Sequence, residues 1–184
     1  IGVIGTIFHV GSHKGNGFGS VKLQVVEAIN AVLDDSPKEV KLILENAAGH
    51  KGTIGQTLDE LAELFSLIRN TDQVGLCLDS QHAFASGVDA RDEQSLDLFL
   101  NEVDQRIGLK YLSVIHINDS KVELASQRDR HENIGDGYLG KTGISNWLNH
   151  PKLSQVPFIL EVPGILNKGP GIDDVKRLRD LCEK

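Results

Sequence analysis

The chain has 184 residues, 40% of them hydrophobic, and a net charge of −7. That length and apolar content suit one domain with a real core, and the acidic balance argues weakly against nucleic acid, although bound divalent cations can invert the field of a local site. No run of 18 apolar residues is present and two cysteines give no disulfide framework, so no membrane span is expected and a reducing, cytoplasmic setting is.

Residues 3–9, VIGTIFH, read as a short buried strand, and 18–33 carry apolar side chains at helical spacing. Ser36 and Pro37 make a turn. KLILE (41–45) is an apolar strand that ends in a carboxylate. TLDE (57–60) is a capping box opening the helix 61–70. VGLCLD (74–79) is the next strand, 93–107 a helix, YLSVIHI (111–117) a strand, 144–149 a short helix around Trp147, PFILEV (157–162) a strand and 172–183 the last helix.

Strands that are apolar throughout, alternating with helices, predict a parallel sheet. Two α/β architectures fit: an open doubly wound sheet of five strands, or five units of a (β/α)8 barrel. GSHKGNGFG (11–19) is glycine-rich after a strand but fits neither GxGxxG nor GxxxxGK[ST], so no phosphate loop decides between them. No linker or repeat interrupts the chain, and 1–184 is expected to be a single domain. The first ten residues, IGVIGTIFHV, lack the basic start of a signal peptide. The chain contains no methionine and opens on a strand, which raises the expectation that an N-terminal part precedes it.

The chemistry gathers at the C-terminal strand ends, where parallel α/β folds build their sites. The five strands deliver His9, Glu45, Asp79, His116 and Glu161 in turn. His82 follows Asp79 by three residues, and the loop after the fourth strand adds Asp129 and His131. Each residue alone has an ordinary reading: a histidine at the edge of the core, a glutamate paired with Lys or Arg, an aspartate capping a helix, a solvated charge run. Together at one end of every strand they read as a ligand set for zinc, or for manganese where oxygen dominates. Eight ligands exceed the four of one tetrahedral ion and suit two or three ions clamping a phosphate. His50 and His150 read as surface residues and Cys77 as core. His13 either stands behind the ligands or binds phosphate.

The segments LILENAAG (42–49), GLCLDSQHAFASGVD (75–89), HINDSKVELASQRDRHENIGDG (116–137) and FILEVPG (158–164), with HVGSHKG (9–15) before them, resemble the signatures of the endonuclease IV family of apurinic/apyrimidinic endonucleases. The resemblance implies a (β/α)8 TIM barrel, of which this chain supplies about the last five units. It implies a DNA-repair hydrolase that cuts the phosphodiester bond 5′ of an abasic site in double-stranded DNA with three zinc ions. Glu45 would bridge two ions, with His9 on the first; Asp79, His116 and Glu161 would join Glu45 on the second; His82, Asp129 and His131 would hold the third.

Glu45 and Glu161 are the expected catalytic carboxylates. Asn118, Ser120, Lys121 and Arg130 are expected on DNA, and Asn118 with Asp119 also fit an Asx turn. Gln81 stands where the family pattern has cysteine. The family's first three strands and one further histidine ligand have no counterpart, so two or three ions are expected. Five strands alone should leave two sheet edges and an apolar interior exposed, and the chain should be poorly stable or self-associate.

The resemblance places the protein in the cytoplasm, on the nucleoid of a bacterium, or in a eukaryotic nucleus or mitochondrion. A sugar isomerase or epimerase of the xylose-isomerase-like barrels is the rival enzyme and would have no use for Asp129 and His131. A truncated, inactive metal- and DNA-binding relative is the rival from another class.

Overall fold

The computed structural model describes residues 2–182. Its strands are β1 (Gly5–His9), β2 (Lys41–Glu45), β3 (Val74–Asp79), β4 (Leu112–His116), β5 (Asp119–Ser120), β6 (His131–Glu132) and β7 (Phe158–Ile159). Its α-helices are α1 (Phe18–Asp35), α2 (Leu58–Leu67), α3 (Ser80–Ser86), α4 (Glu93–Arg106), α5 (Gly140–Asn149) and α6 (Ile172–Arg179). The main sheet runs β1-β2-β3-β4-β7 with every pairing parallel, while β5 and β6 form a small antiparallel ladder.

Strand order separates the two architectures. A doubly wound sheet reverses its order at a switch point, whereas here each strand lies beside its predecessor in the chain. Leu44, Leu76, Leu78 and Ile115 pack with Leu33, Leu64, Leu100 and Trp147 of the helices in one large core. Ile7, Ile43, Cys77 and Val114, one from each of the first four strands, form a second cluster with no helical member among the described residues. An inner face built by strands alone, with helices on the other side, is a segment of a (β/α)8 barrel.

The pairing of β3 with β4 slips at Leu76/Cys77, so Leu76 faces Leu112 but Cys77 faces Val114. Ser113 is the extra residue. A Cβ on Gly75 would lie 2.4 Å from Ser113 Oγ, so glycine makes room for the bulge, which leaves His116 opposite Asp79.

Several elements differ from their sequence reading. The α2 cap is half a capping box: Thr57 accepts from the Glu60 amide, but the Glu60 carboxylate takes the amides of Gly55 and Gln56 instead of Thr57. The helix stops at Leu67 because Ile68 turns extended. The short helix α3 is not among the helices that the periodicity predicts; Asp79 caps it, the ordinary role open to that residue, and Gly87, at φ 113°, ends it in the left-handed region. β7 is two residues long, not six, because the Glu161 amide leaves the sheet to donate to Asn118 Oδ1. The last helix, read as 172–183, ends at Arg179, and residue 183 lies outside the described residues.

The interior is also better covered than expected. Ile43, Cys77 and Val114 are at most 2% exposed; Val3, Ile4 and Ile159, at or beside the edge strands, are among the exposed apolar residues, as are Leu23, Leu98, Leu166 and Ile172 elsewhere. No helix among the described residues is long and apolar enough to cross a membrane.

Candidate metal centre

Parallel register converts strand ends into one site. His9, Glu45, Asp79 and His116 are the last residues of β1 to β4, with His9 opposite Glu45 and Asp79 opposite His116. Glu161 follows two residues after β7, His82 lies in the first turn of α3, the loop between β5 and β6 brings Asp129, and β6 begins on His131. The structure gathers all eight. Glu45, Asp79, His82 and His116 are buried, while Asp129 and Glu161 keep about half of their side-chain surface open.

Glu45 stands between imidazoles. Its Oε2 lies 3.8 Å from His9 Nε2, and its Oε1 lies 3.4 Å from His82 Nδ1 and 3.1 Å from His116 Nδ1. His116 Nδ1 also faces Glu161 Oε2 at 2.9 Å and Asp79 Oδ2 at 3.9 Å. One N–H cannot serve three carboxylates, whereas a cation among Glu45, Asp79, His116 and Glu161 would serve all of them. Those four groups offer donor atoms within 4.8 Å of one another.

The trio of His82, Asp129 and His131 carries a sharper test of fit. His82 Nδ1 lies 2.8 Å from the Asn46 carbonyl and His131 Nδ1 lies 3.2 Å from the Glu161 carbonyl. A carbonyl only accepts, so each Nδ1 donates and each Nε2 turns a lone pair inward. Both Nε2 atoms are buried with no hydrogen-bond partner, and they face Asp129 Oδ1 at 3.4 and 3.5 Å. Three acceptors pointing at one spot need a proton or a metal ion there, and imidazoles fixed through Nδ1 are how proteins aim metal ligands. Asp79 is also within reach of this trio, its Oδ2 lying 3.6 Å from His131 Nε2.

None of the four carboxylates pairs with Lys or Arg among the described residues; every ion-pair partner is a histidine. The expected ordinary partner for buried Glu45 is therefore missing. The charge falls on the imidazoles. Burial disfavours a protonated His82, but Asp79, Asp129 and Glu45 outweigh it and push its pKa up to about 9. Burial likewise opposes protonation of His116, whose hydrogen bonds to Cys77, Glu161 and Glu45 carry it to about 12. The His82 contact pulls Asp129 down to about 2, and the His116 contact lowers Glu161. A site whose acids hold His82 and His116 as cations has the electrostatics of a divalent-metal site.

The opening of the 116–137 segment builds the centre from behind. Asn118 Nδ2 donates to Asp79 Oδ2 at 2.6 Å, and its Oδ1 accepts from the Glu161 amide. Ser120 Oγ donates to the Val122 carbonyl. Both side chains are fully buried, so Asn118 and Ser120 are corrected from DNA contacts to scaffolding; Lys121 and Arg130 are exposed. Asp119 does far more than an Asx turn. Its carboxylate accepts from the amides of Ser120, Gly135, Gly137, Leu139 and Gly140.

Cys77 lies in the inner cluster, as expected of a core residue, and burial pushes its thiol up to about 11 despite His116 beside it. His13 Nδ1 accepts from the Gly15 and Gly17 amides and shapes its own loop. His50 is exposed. His150 is a correction, since its half-buried ring caps a turn through the Lys152 amide and lies 3.5 Å from Asp97. Asn46 escaped the sequence reading: its Oδ1 accepts from the Asp79 amide at 2.7 Å and its carbonyl orients His82. Its place directly after Glu45 was the available signal.

Residues 1–181 match the sequence model of a family described as Xylose isomerase-like TIM barrel. The chain is 43% identical over 173 residues to a protein of Halothermothrix orenii named probable endonuclease 4, covering 94% of this chain and 62% of that protein. It is 40% identical over 183 residues to a probable endonuclease 4 of Methanoculleus marisnigri, covering 99% of this chain and 64% of that one. The crystal structure of endonuclease IV from Thermus thermophilus matches with a TM-score of 0.75 at 31% identity, covering 98% of this chain and 61% of that chain. The chain thus spans a little under two thirds of the length of these relatives.

Proposed function

Since the chain belongs to the xylose isomerase-like TIM barrel family and the relatives it matches are named endonuclease 4, we propose that it is the metal-binding part of a DNA-repair endonuclease. The reaction is hydrolysis of the phosphodiester bond 5′ of an abasic site in duplex DNA. Residues 1–184 act as one domain, the C-terminal part of the barrel, in the cytoplasm or on the nucleoid. The observation that carries this reading is the trio of His82, Asp129 and His131, with two buried, unpartnered Nε2 atoms facing one carboxylate oxygen. That trio adds to the Glu45, Asp79, His116 and Glu161 cluster a further metal position, for which a sugar isomerase has no need.

Bound divalent ions, zinc ahead of manganese because of the imidazole share, would activate water and neutralise charge on the phosphate. The chain's own residues do the rest. Glu45 presents its two oxygens to different imidazoles and bridges two positions. Asn118 fixes Asp79 and the Glu161 backbone in one geometry. Glu45 and Glu161 flank the same His116 nitrogen and are assigned to the reacting end. Exposed Lys121 and Arg130 take DNA phosphates. An abasic nucleotide has no base to unpair, so its extrusion towards such a site is cheap.

The test is incision of an end-labelled duplex carrying one abasic site, with zinc added. Cleavage on the 5′ side that disappears in Glu161→Gln is expected. A second reading, a piece that binds metal and DNA but does not cut alone, is favoured by the 61–64% coverage of the relatives. It predicts DNA binding without incision in the wild-type chain and in Glu161→Gln alike. Zinc-loaded chain that neither cuts nor binds abasic duplex sinks both.

A further inference from the structure

Gln81 replaces the cysteine of the resembling pattern and lies beside the candidate ligand His82. It is fully buried. Its Nε2 donates to the Arg128 carbonyl at 3.0 Å and to Ser120 Oγ at 3.4 Å, and its Oε1 accepts from the Arg130 amide at 3.3 Å. Those two peptide groups flank Asp129. The rest of the loop is strapped to the far end of the same short helix: the Ala125 and Gln127 amides donate to the carbonyls of Phe84 and Ala85. Ala125 and Gln127 hold φ of 58° and 56°, a region that side-chain-bearing residues occupy only when their surroundings require it.

The geometry points to Gln81 as a positioning residue that fixes the backbone on both sides of Asp129 and so sets Asp129 against His82 and His131. This rests on the reading that those three residues hold a metal ion. The need for such a residue is plain from the exposure of the ligand. Asp129 is on a loop with 53% of its side-chain surface open, and among the described residues its carboxylate has only imidazoles as ion-pair partners. The glutamine carboxamide offers a donor and an acceptor four bonds from the Cα and can hold a carbonyl and an amide at once. A cysteine thiol ends two bonds from the Cα and is a weak donor and acceptor. A glutamine at position 81 therefore pins the loop in a way that a cysteine could not.

The experiment is a zinc titration of the full chain against a chromophoric chelator, for the wild type, Asp129→Ala, Gln81→Met and Gln81→Cys, with a melting curve of each metal-free variant. Asp129→Ala is expected to remove one class of bound zinc. Gln81→Met, similar in shape but unable to make these bonds, and Gln81→Cys should weaken that same class about 10–100-fold. The remaining zinc should bind as in the wild type, and the metal-free melting temperature should fall only modestly, by the cost of the three lost hydrogen bonds. If both Gln81 variants bind all zinc as tightly as wild type while Asp129→Ala loses one class, Gln81 positions nothing. Equal weakening of every class together with a large fall in melting temperature makes the role merely structural and also overturns the proposal. If Asp129→Ala binds zinc like the wild type, the metal reading of the trio is wrong and the inference falls with it.

Discussion

At the scale of single residues, the Asp119 carboxylate gathers five backbone amides, four of them 16 to 21 residues downstream, so one side chain closes the loop that runs from β5 to α5. Gly137 is part of the same device: a Cβ there would lie 2.4 Å from the Ser120 carbonyl oxygen and 2.5 Å from Asp119 Oδ1. Gly137→Ala is expected to cost on the order of 1–3 kcal/mol, read as a lower urea midpoint with unchanged slope. An unchanged midpoint would show that the Asp119 turn relaxes freely.

His82 yields the pH dependence. Its pKa rises from 6.5 to about 9 in the metal-free fold. A raised histidine pKa stabilises the fold fully below 6.5 and loses that contribution as pH climbs through 9. A metal ion must displace the same proton, so its binding strengthens over the same interval. The melting-temperature gap between zinc-loaded and metal-free chain is therefore expected to widen from pH 6.5 to 9. A gap that stays flat or narrows would remove His82 from the ligands.

At the scale of elements, apolar runs gave the main-sheet strands, while short or polar-framed pieces were harder. Helix α3 has seven residues, too few for helical periodicity, and six of them are buried, so no polar face marks it. PFILEV (157–162) overruns β7 because Leu160 and Val162 continue the apolar pattern on either side of Glu161 after the backbone has left the sheet; the bond from the Glu161 amide to Asn118 that ends the strand is invisible in a hydropathy pattern. The β5–β6 ladder pairs Asp119 with Glu132 and Ser120 with His131, residues with no strand signature, held by the loop around them. The centre is thus clearest where strands carry it and most obscure in the Asp129 loop, where side-chain contacts set the backbone.

At the scale of the whole molecule, periodicity predicted parallel strands but not their order, so the barrel segment and the open sheet were indistinguishable until strand neighbours were known. The resemblance in four separated segments pointed to the family that the comparisons also found. β1 and β7 are the two edges of the main sheet, and exposed Val3, Ile4 and Ile159 lie at or beside them. Unpaired parallel edges with apolar side chains recruit other strands. Sedimentation equilibrium of this 20.1 kDa chain is expected to give an apparent mass that grows with concentration. A single species of monomer mass at every concentration would show that the edges protect themselves.

The candidate ligands run from position 9 to position 161, one at the end of each of the first four main strands and one two residues beyond β7. That spacing has a kinetic consequence. Contacts between distant parts of a chain require long loops to close first, and topologies rich in them fold slowly. His9 and Glu45 come into register once β1 pairs with β2, but Glu161 reaches His116 only after the final crossover has packed. On an emerging chain the cluster stays incomplete until the last strand arrives. The ions would then arrive as a late latch on a barrel wall already assembled, not as a template around which it forms.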